Sequence, residues 1–254
     1  MSIQTSTALR AAWQPAPRSD STQPRLIVAG ATGVLGAEAL RRLAGSGRFA
    51  HTQVLAKEPM ATSASQVSMV EVSHHLAQWQ TVAAQVGVVM FEPPRLYYQR
   101  ERTLWTPEPE QLLPLAQWLR RCGVHTLVVV VPHIQNRLPD AVKRGLANLD
   151  EHALSALGFE RLLLVRAAQK TPNSSASGIF HKTAAWMLGV MSYMIPASEQ
   201  PVRPSKVAEF IDIALQHLPP GTHVASPELL WLSADQGNTQ LAVKAWLNGG
   251  TSKN

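Results

Sequence analysis

Residues 25–43 read Arg-Leu-Ile-Val-Ala-Gly-Ala-Thr-Gly-Val-Leu-Gly-Ala-Glu-Ala-Leu-Arg-Arg-Leu, and no other stretch constrains the fold as strongly. Four apolar residues, Leu26 to Ala29, run into Gly30, Gly33 and Gly36, and an Ala/Leu-rich segment follows. That order predicts a buried strand, a tight turn and a helix. Gly30 permits a sharp exit from the strand, and Gly33 lets the main chain approach a pyrophosphate with no Cβ in the way. Gly36 allows the helix to pack close to the strand. The N–H groups of Thr32, Gly33, Val34 and Leu35 would then face phosphate oxygens at the positive end of the helix dipole. Dinucleotide binding is the expectation; a turn that binds nothing is the alternative.

The rest of the chain repeats the alternation. Strands are expected at 52–57, 66–72, 86–91, 125–131 and 159–165, with Pro132 ending the fifth. Helices are expected at 74–85, 110–121, 139–157, 179–195 and 205–217. Residues 95–109 read as a long irregular loop, and Gly123 and Gly158 as helix stops. Strands alternating with helices of about a dozen residues imply a doubly wound parallel sheet, the Rossmann arrangement. The boundaries predicted are a disordered tail over 1–24, a Rossmann domain over 25–235 with a small cap drawn mainly from 171–235, and an extension over 236–254. The cap would cover the open end of the sheet, where ligands bind in such folds.

Composition excludes several classes. The formal net charge is +6 in 254 residues, but no basic run exceeds two residues and no nucleic-acid-binding signature accompanies it. No apolar run reaches the roughly 18 residues of a membrane span. The first 24 residues lack the apolar centre of a secretion signal. The single cysteine, Cys122, rules out an internal disulfide, suits a reducing, cytoplasmic setting and reads as a buried structural thiol. There is no His-x-x-x-His or Cys cluster for a metal and no Gly-x-Ser-x-Gly elbow for a hydrolase.

Three segments resemble the atypical short-chain dehydrogenase/reductases, NAD(P)-binding proteins, in their Tat-interacting-protein-like and NmrA-like branch. They are the glycine turn 30–36, the stretch 156–166 ending in Arg166, and 201–210 with Val207-Ala208 opening a late helix. The resemblance spans about residues 25–235, and only the glycine turn is specific. It implies a Tyr with a Lys four residues on, the Lys depressing the Tyr pKa, and a Ser that positions the substrate oxygen. That pair is missing: Tyr97, Tyr98 and Tyr193 are followed four residues later by Glu101, Arg102 and Ala197. By register the Tyr slot falls near Lys143, the Lys slot near Ala147, and the Ser slot on Pro132-His133. Where the family often has small residues after the fourth strand, this chain has Glu92-Pro93-Pro94.

The remaining candidates are few. Lys57, at the end of the second strand, favours NADP over NAD, whose ribose would call for an acid there; a solvent-facing lysine is the plain alternative. His133 and Lys143 are the candidate proton-transfer residues, against a loop histidine and a surface lysine. The apolar face of Trp186, Met187, Val190, Met191 and Met194 would wall a pocket for a small hydrophobic ligand or form core. Three functions remain: a nucleotide-responsive binding or regulatory module lacking the dyad, an NADP-dependent oxidoreductase or epimerase-like enzyme with another proton donor, or a non-binding scaffold that works through a protein partner.

Overall fold

The structure, a computed structural model, describes residues 23–59, 65–73, 75–95, 97–133, 151–168, 202–235 and 237–249. Seven strands make one sheet: β1 (Arg25–Ala29), β2 (His51–Ala56), β3 (Val67–Glu71), β4 (Val86–Met90), β5 (Thr126–His133), β6 (Arg161–Ala168) and β7 (Gly221–Ala225). Their order is β3-β2-β1-β4-β5-β6-β7, and every neighbouring pair is parallel. The order reverses direction at β1, so the crevice between the carboxyl ends of β1 and β4 is the switch point of a doubly wound sheet. The Rossmann expectation holds.

Both faces of the sheet are covered, which is why the central strands are apolar at consecutive positions rather than alternate ones. Leu26 and Val28 of β1 face one core, with Leu35, Ala39 and Leu43 of helix α1 (Gly33–Gly45). Phe210 and Ile211 of α5 (Pro204–His217) join the same core. Ile27 and Ala29 face the other, with Leu115, Trp118 and Leu119 of α3 (Leu112–Arg121). Between them lie the one-turn helix α2 (Gln99–Arg102) in the β4–β5 connection and α4 (Glu151–Ala156) before β6. Cys122 is buried at the end of α3, where burial pushes its thiol pKa up, as suits a structural thiol.

Several expectations need correction. The helix predicted over 74–85 is a single 3-10 turn, Leu76–Gln78, followed by extended chain. Its periodic apolar residues serve a different purpose. Trp79 inserts edge-on against Trp105 and Trp118, at centroid distances of 4.9 and 5.1 Å, and its indole N–H donates to the Ser73 carbonyl. The amides of Ala84 and Gln85 donate to Cys122 and Arg25 rather than back along a helix. Pro132 does not end β5, which continues to His133. Past the last pairing with β4, at Val130, β5 is paired with β6 only, and a residue without an N–H is tolerated.

The loop expected at 95–109 contains α2 and a bridge between Leu104 and Ala56, with Leu104 and Trp105 buried. Of the expected cap, residues 171–201 lie outside the described set, including the Trp186 to Met194 face. The remainder joins the wound body: α5 packs on α1, β7 extends the sheet, and α6 (Pro227–Asp235) and α7 (Thr239–Gly249) follow. Val243 and Leu247 of α7 are buried in the same core.

Candidate functional site

The glycine turn folds as the sequence requires. Gly30 and Gly33 have φ of +74° and +72°, in the left-handed region open to glycine. A Cβ on Gly30 would lie 1.9 Å from the Met90 carbonyl oxygen, and one on Gly36 2.7 Å from Gly30 O, so strand, turn and helix are in close contact. Thr32 is fully buried as the N-cap of α1, yet its hydroxyl does not cap the helix. It donates to the Glu92 carbonyl at 2.5 Å and shares a hydrogen bond with Thr106 at 2.8 Å.

The helix N–H groups that would meet phosphate are instead met by carboxylates. Leu35 N–H donates to Glu92 Oε2 at 2.6 Å, and Gly33 N–H donates to Glu101 Oε2 at 3.1 Å. A Cβ on Gly33 would lie 2.3 Å from the Glu92 Cδ, so the space glycine leaves is filled by that side chain. Glu101 is buried and also accepts from the Arg95 backbone N–H at 2.9 Å and from Arg95 Nε at 2.7 Å. Arg95 Nη2 completes the pair. Burial pushes the Glu101 carboxyl up, but the hydrogen bonds from the Arg95 side chain, Arg95 N–H and Gly33 N–H outweigh it and hold the pKa below its ordinary value. The Arg95 guanidinium also lies over the Tyr98 ring, 3.7 Å from its centroid.

The chain also closes over the ends of β1 and β2. Gly30 N–H donates to Trp105 O, Trp105 N–H to Leu55 O, and Lys57 N–H to Thr103 O. Residues 103–105 thus continue the hydrogen bonding of the sheet past its carboxyl edge, beside the glycine turn. The donors of the turn suit a diphosphate, and the volume in front of them is taken by Glu92 and Glu101.

Of the residues picked out from sequence, Gly30, Thr32, Gly33, Leu35 and Gly36 come together here, with Val34 44% exposed beside them. Lys57 stands exposed at the end of β2. His133 is the last residue of β5, opposite Ala168 on β6, at the carboxyl edge of the sheet. Lys143 lies outside the described residues. Tyr97 is 92% exposed, unlike a buried proton donor. Among the described residues no group of His, Cys, Asp and Glu could hold a metal, and no helix is long and apolar enough to cross a membrane. Sequence reasoning singled out Glu92 only as bulk and missed Arg95, Glu101 and Thr106. Two acids on a connection that leaves the switch point were the available signal.

Fold and site together define a Rossmann protein whose glycine turn is liganded by its own carboxylates. No protein-family model and no curated protein matches the chain. Among solved structures it is similar to a glucuronic acid dehydrogenase from Chromohalobacter salexigens, with 14% identity and a TM-score of 0.50 over 88% of this chain and 83% of that one. It is also similar to a Rossmann-fold NAD(P)-binding family protein from Shigella flexneri, with 16% identity and a TM-score of 0.46 over 78% and 91%. A nucleoside-diphosphate-sugar epimerase from Staphylococcus aureus gives 12% identity and 0.46 over 91% and 92%. Likeness at this identity is one of fold, the Rossmann fold.

Proposed function

We propose that the protein is a nucleotide-responsive Rossmann module that binds a dinucleotide, NADP in preference to NAD, and lacks the oxidoreductase chemistry of the Tyr-x-x-x-Lys dyad. One observation carries the reading: the amides of Gly33 and Leu35 each hold an anionic oxygen, so the turn is a working anion cradle and not merely a bend. When bound, a nicotinamide dinucleotide would supply hydride transfer, and this chain offers no tyrosine–lysine pair to move the accompanying proton. Gly33, Val34 and Leu35 would bind the pyrophosphate through their amides, and Lys57 would attract an additional phosphate at the end of β2.

The test is calorimetric titration of the purified chain with NADPH and then NADH, followed by a search for turnover. Saturable binding of NADPH, weaker binding of NADH and no hydride transfer are expected. Failure of both nucleotides to bind at millimolar concentration would overturn the reading. A second reading, the scaffold that binds no nucleotide, draws on the main chain of residues 103–105 across the ends of β1 and β2; that same failure would support it.

A further inference from the structure

We propose that Glu92 and Glu101 are a built-in occupant of the phosphate site, so that the connection from Glu92 to Arg102 is an autoinhibitory gate which a phosphoanhydride ligand must displace. The inference rests on the dinucleotide reading above and concerns how that site is controlled. Three features distinguish a gate from ordinary helix capping. The two acids come from 57 and 68 positions downstream of the amides they meet, not from the adjacent N-cap residue. They meet alternate amides of the first helical turn, Gly33 and Leu35, the donors a diphosphate would use. Glu92 also fills the space left by the absent Gly33 side chain, with Cγ and Cδ 2.4 and 2.3 Å from where a Cβ would be.

The connection is built to exchange partners. Its beginning follows β4, and its end is anchored by the Thr103 and Trp105 main-chain bonds to β2. Between them lies α2, a single turn, which has little stability of its own. Arg95 joins the two states. In the closed form its guanidinium holds Glu101; once Glu101 has left the Gly33 amide and that ion pair has parted, the cation can face the incoming phosphate. The pyrophosphate of a dinucleotide brings two negative charges, matching those of the two carboxylates it displaces, so the exchange leaves the charge at the helix N-terminus satisfied. A ligand that binds only the open form has its apparent affinity reduced by the open fraction. Removing an occupant therefore tightens binding without adding any contact to the ligand.

The test compares the unmodified chain with Glu92→Ala, Glu92→Gln and Glu101→Gln. NADPH affinity is measured by calorimetry, inorganic pyrophosphate serves as competitor, and hydrogen exchange is followed over residues 92–106. The gate predicts at least tenfold tighter NADPH binding by Glu92→Ala, a smaller gain in the two Gln variants, and faster exchange of the 92–102 segment in the unmodified chain on addition of ligand. Glu92→Gln keeps an acceptor for Leu35, so the test survives if the alanine variant unfolds. Equal affinity in all four proteins, with the segment still protected when ligand is bound, would overturn the gate and leave the dinucleotide reading intact. Binding by none of them would overturn both.

Discussion

Leu35 N–H donates to Glu92 Oε2 at 2.6 Å, a cap supplied to α1 from 57 residues downstream. The helix thereby satisfies donors that Thr32, with its hydroxyl turned to the Glu92 carbonyl and Thr106, leaves open. Glu92 is held through its main chain and its side chain at once, and the connection after β4 is locked to the turn after β1. Local helix chemistry and the closure of the crevice are therefore one interaction.

The glycines of the turn should differ in what they tolerate. Gly33→Ala forces a left-handed alanine at φ +72° against a movable Glu92 side chain, and about 1–2 kcal/mol of stability should be lost. Gly30→Ala puts its Cβ 1.9 Å from the Met90 carbonyl oxygen, which belongs to a central strand and cannot yield. It should lose more. Denaturant unfolding of both variants checks the order, and combining Gly33→Ala with Glu92→Ala should recover the part of the loss due to the contact. Equal losses at the two positions would contradict the geometry.

The central βα units were legible because their signals are local. A Val-rich run such as 127–131 has few alternatives to a buried strand, and Gly30, Gly33 and Gly36 carry their geometry in their spacing. What escaped was set by contacts distant in sequence. Leu76, Trp79 and Val82 fit a helical period, but Trp79 is claimed by Trp105 and Trp118, and that cluster overrides the period. Glu101 read only as the wrong residue four places after Tyr97; its role follows from an amide 68 positions earlier. Hydrogen bonds that cross the fold leave no periodic trace, so the part of the site made by Glu92 and Glu101 could not be read in advance.

Trp105 should be a keystone of the closed crevice. It is buried, packs edge-on against Trp79, and its main chain bonds to both Gly30 and Leu55. Trp105→Ala should lower stability by about 3–5 kcal/mol, as truncation of a buried tryptophan generally does. Trp105→Phe keeps an aromatic edge contact and should lose much less. Chemical unfolding measures both, and hydrogen exchange at Lys57, whose amide donates to Thr103 O, reports whether the closure loosens with it.

Acid should weaken the closure before it reaches the core. The Glu101 carboxyl has its folded pKa below the ordinary 4.5, so its contribution is complete above that value and is lost as pH falls through the lower folded value. Glu209, held down by Lys206 and Thr239 despite its burial, adds a similar slope elsewhere. Glu101→Gln should therefore be less stable than the unmodified chain near neutral pH, and the difference should shrink below about pH 4.5. Thermal unfolding of both proteins across that range checks the sign. A difference that grows on acidification would mean that Glu101 is not ionised in the folded chain.

Asp212 offers the control that separates stability from binding. Its carboxylate, 10% exposed on α5, accepts from Arg42 Nε of α1 at 3.2 Å and pairs with Arg48 in the connection to β2. Burial lowers the Arg48 pKa, and the neighbouring Arg42 charge lowers it further, so Asp212 holds together two cations that would otherwise repel. Asp212→Ala strips Arg48 of its carboxylate and Arg42 of one acidic partner, and should destabilise by about 3 kcal/mol, the low end for breaking a buried pair because Arg42 is 38% exposed. Exchanging Arg48 for Met and Asp212 for Leu together should recover much of the loss, since the stranded charge goes with its partner. These bonds join α1 and the connection to β2 with α5, whereas the carboxylates at the glycine turn are Glu92 and Glu101, so NADPH affinity measured below the unfolding transition should not change. A variant that lost stability and affinity together would place the control of the crevice in the α1–α5 packing rather than in the carboxylates that fill it.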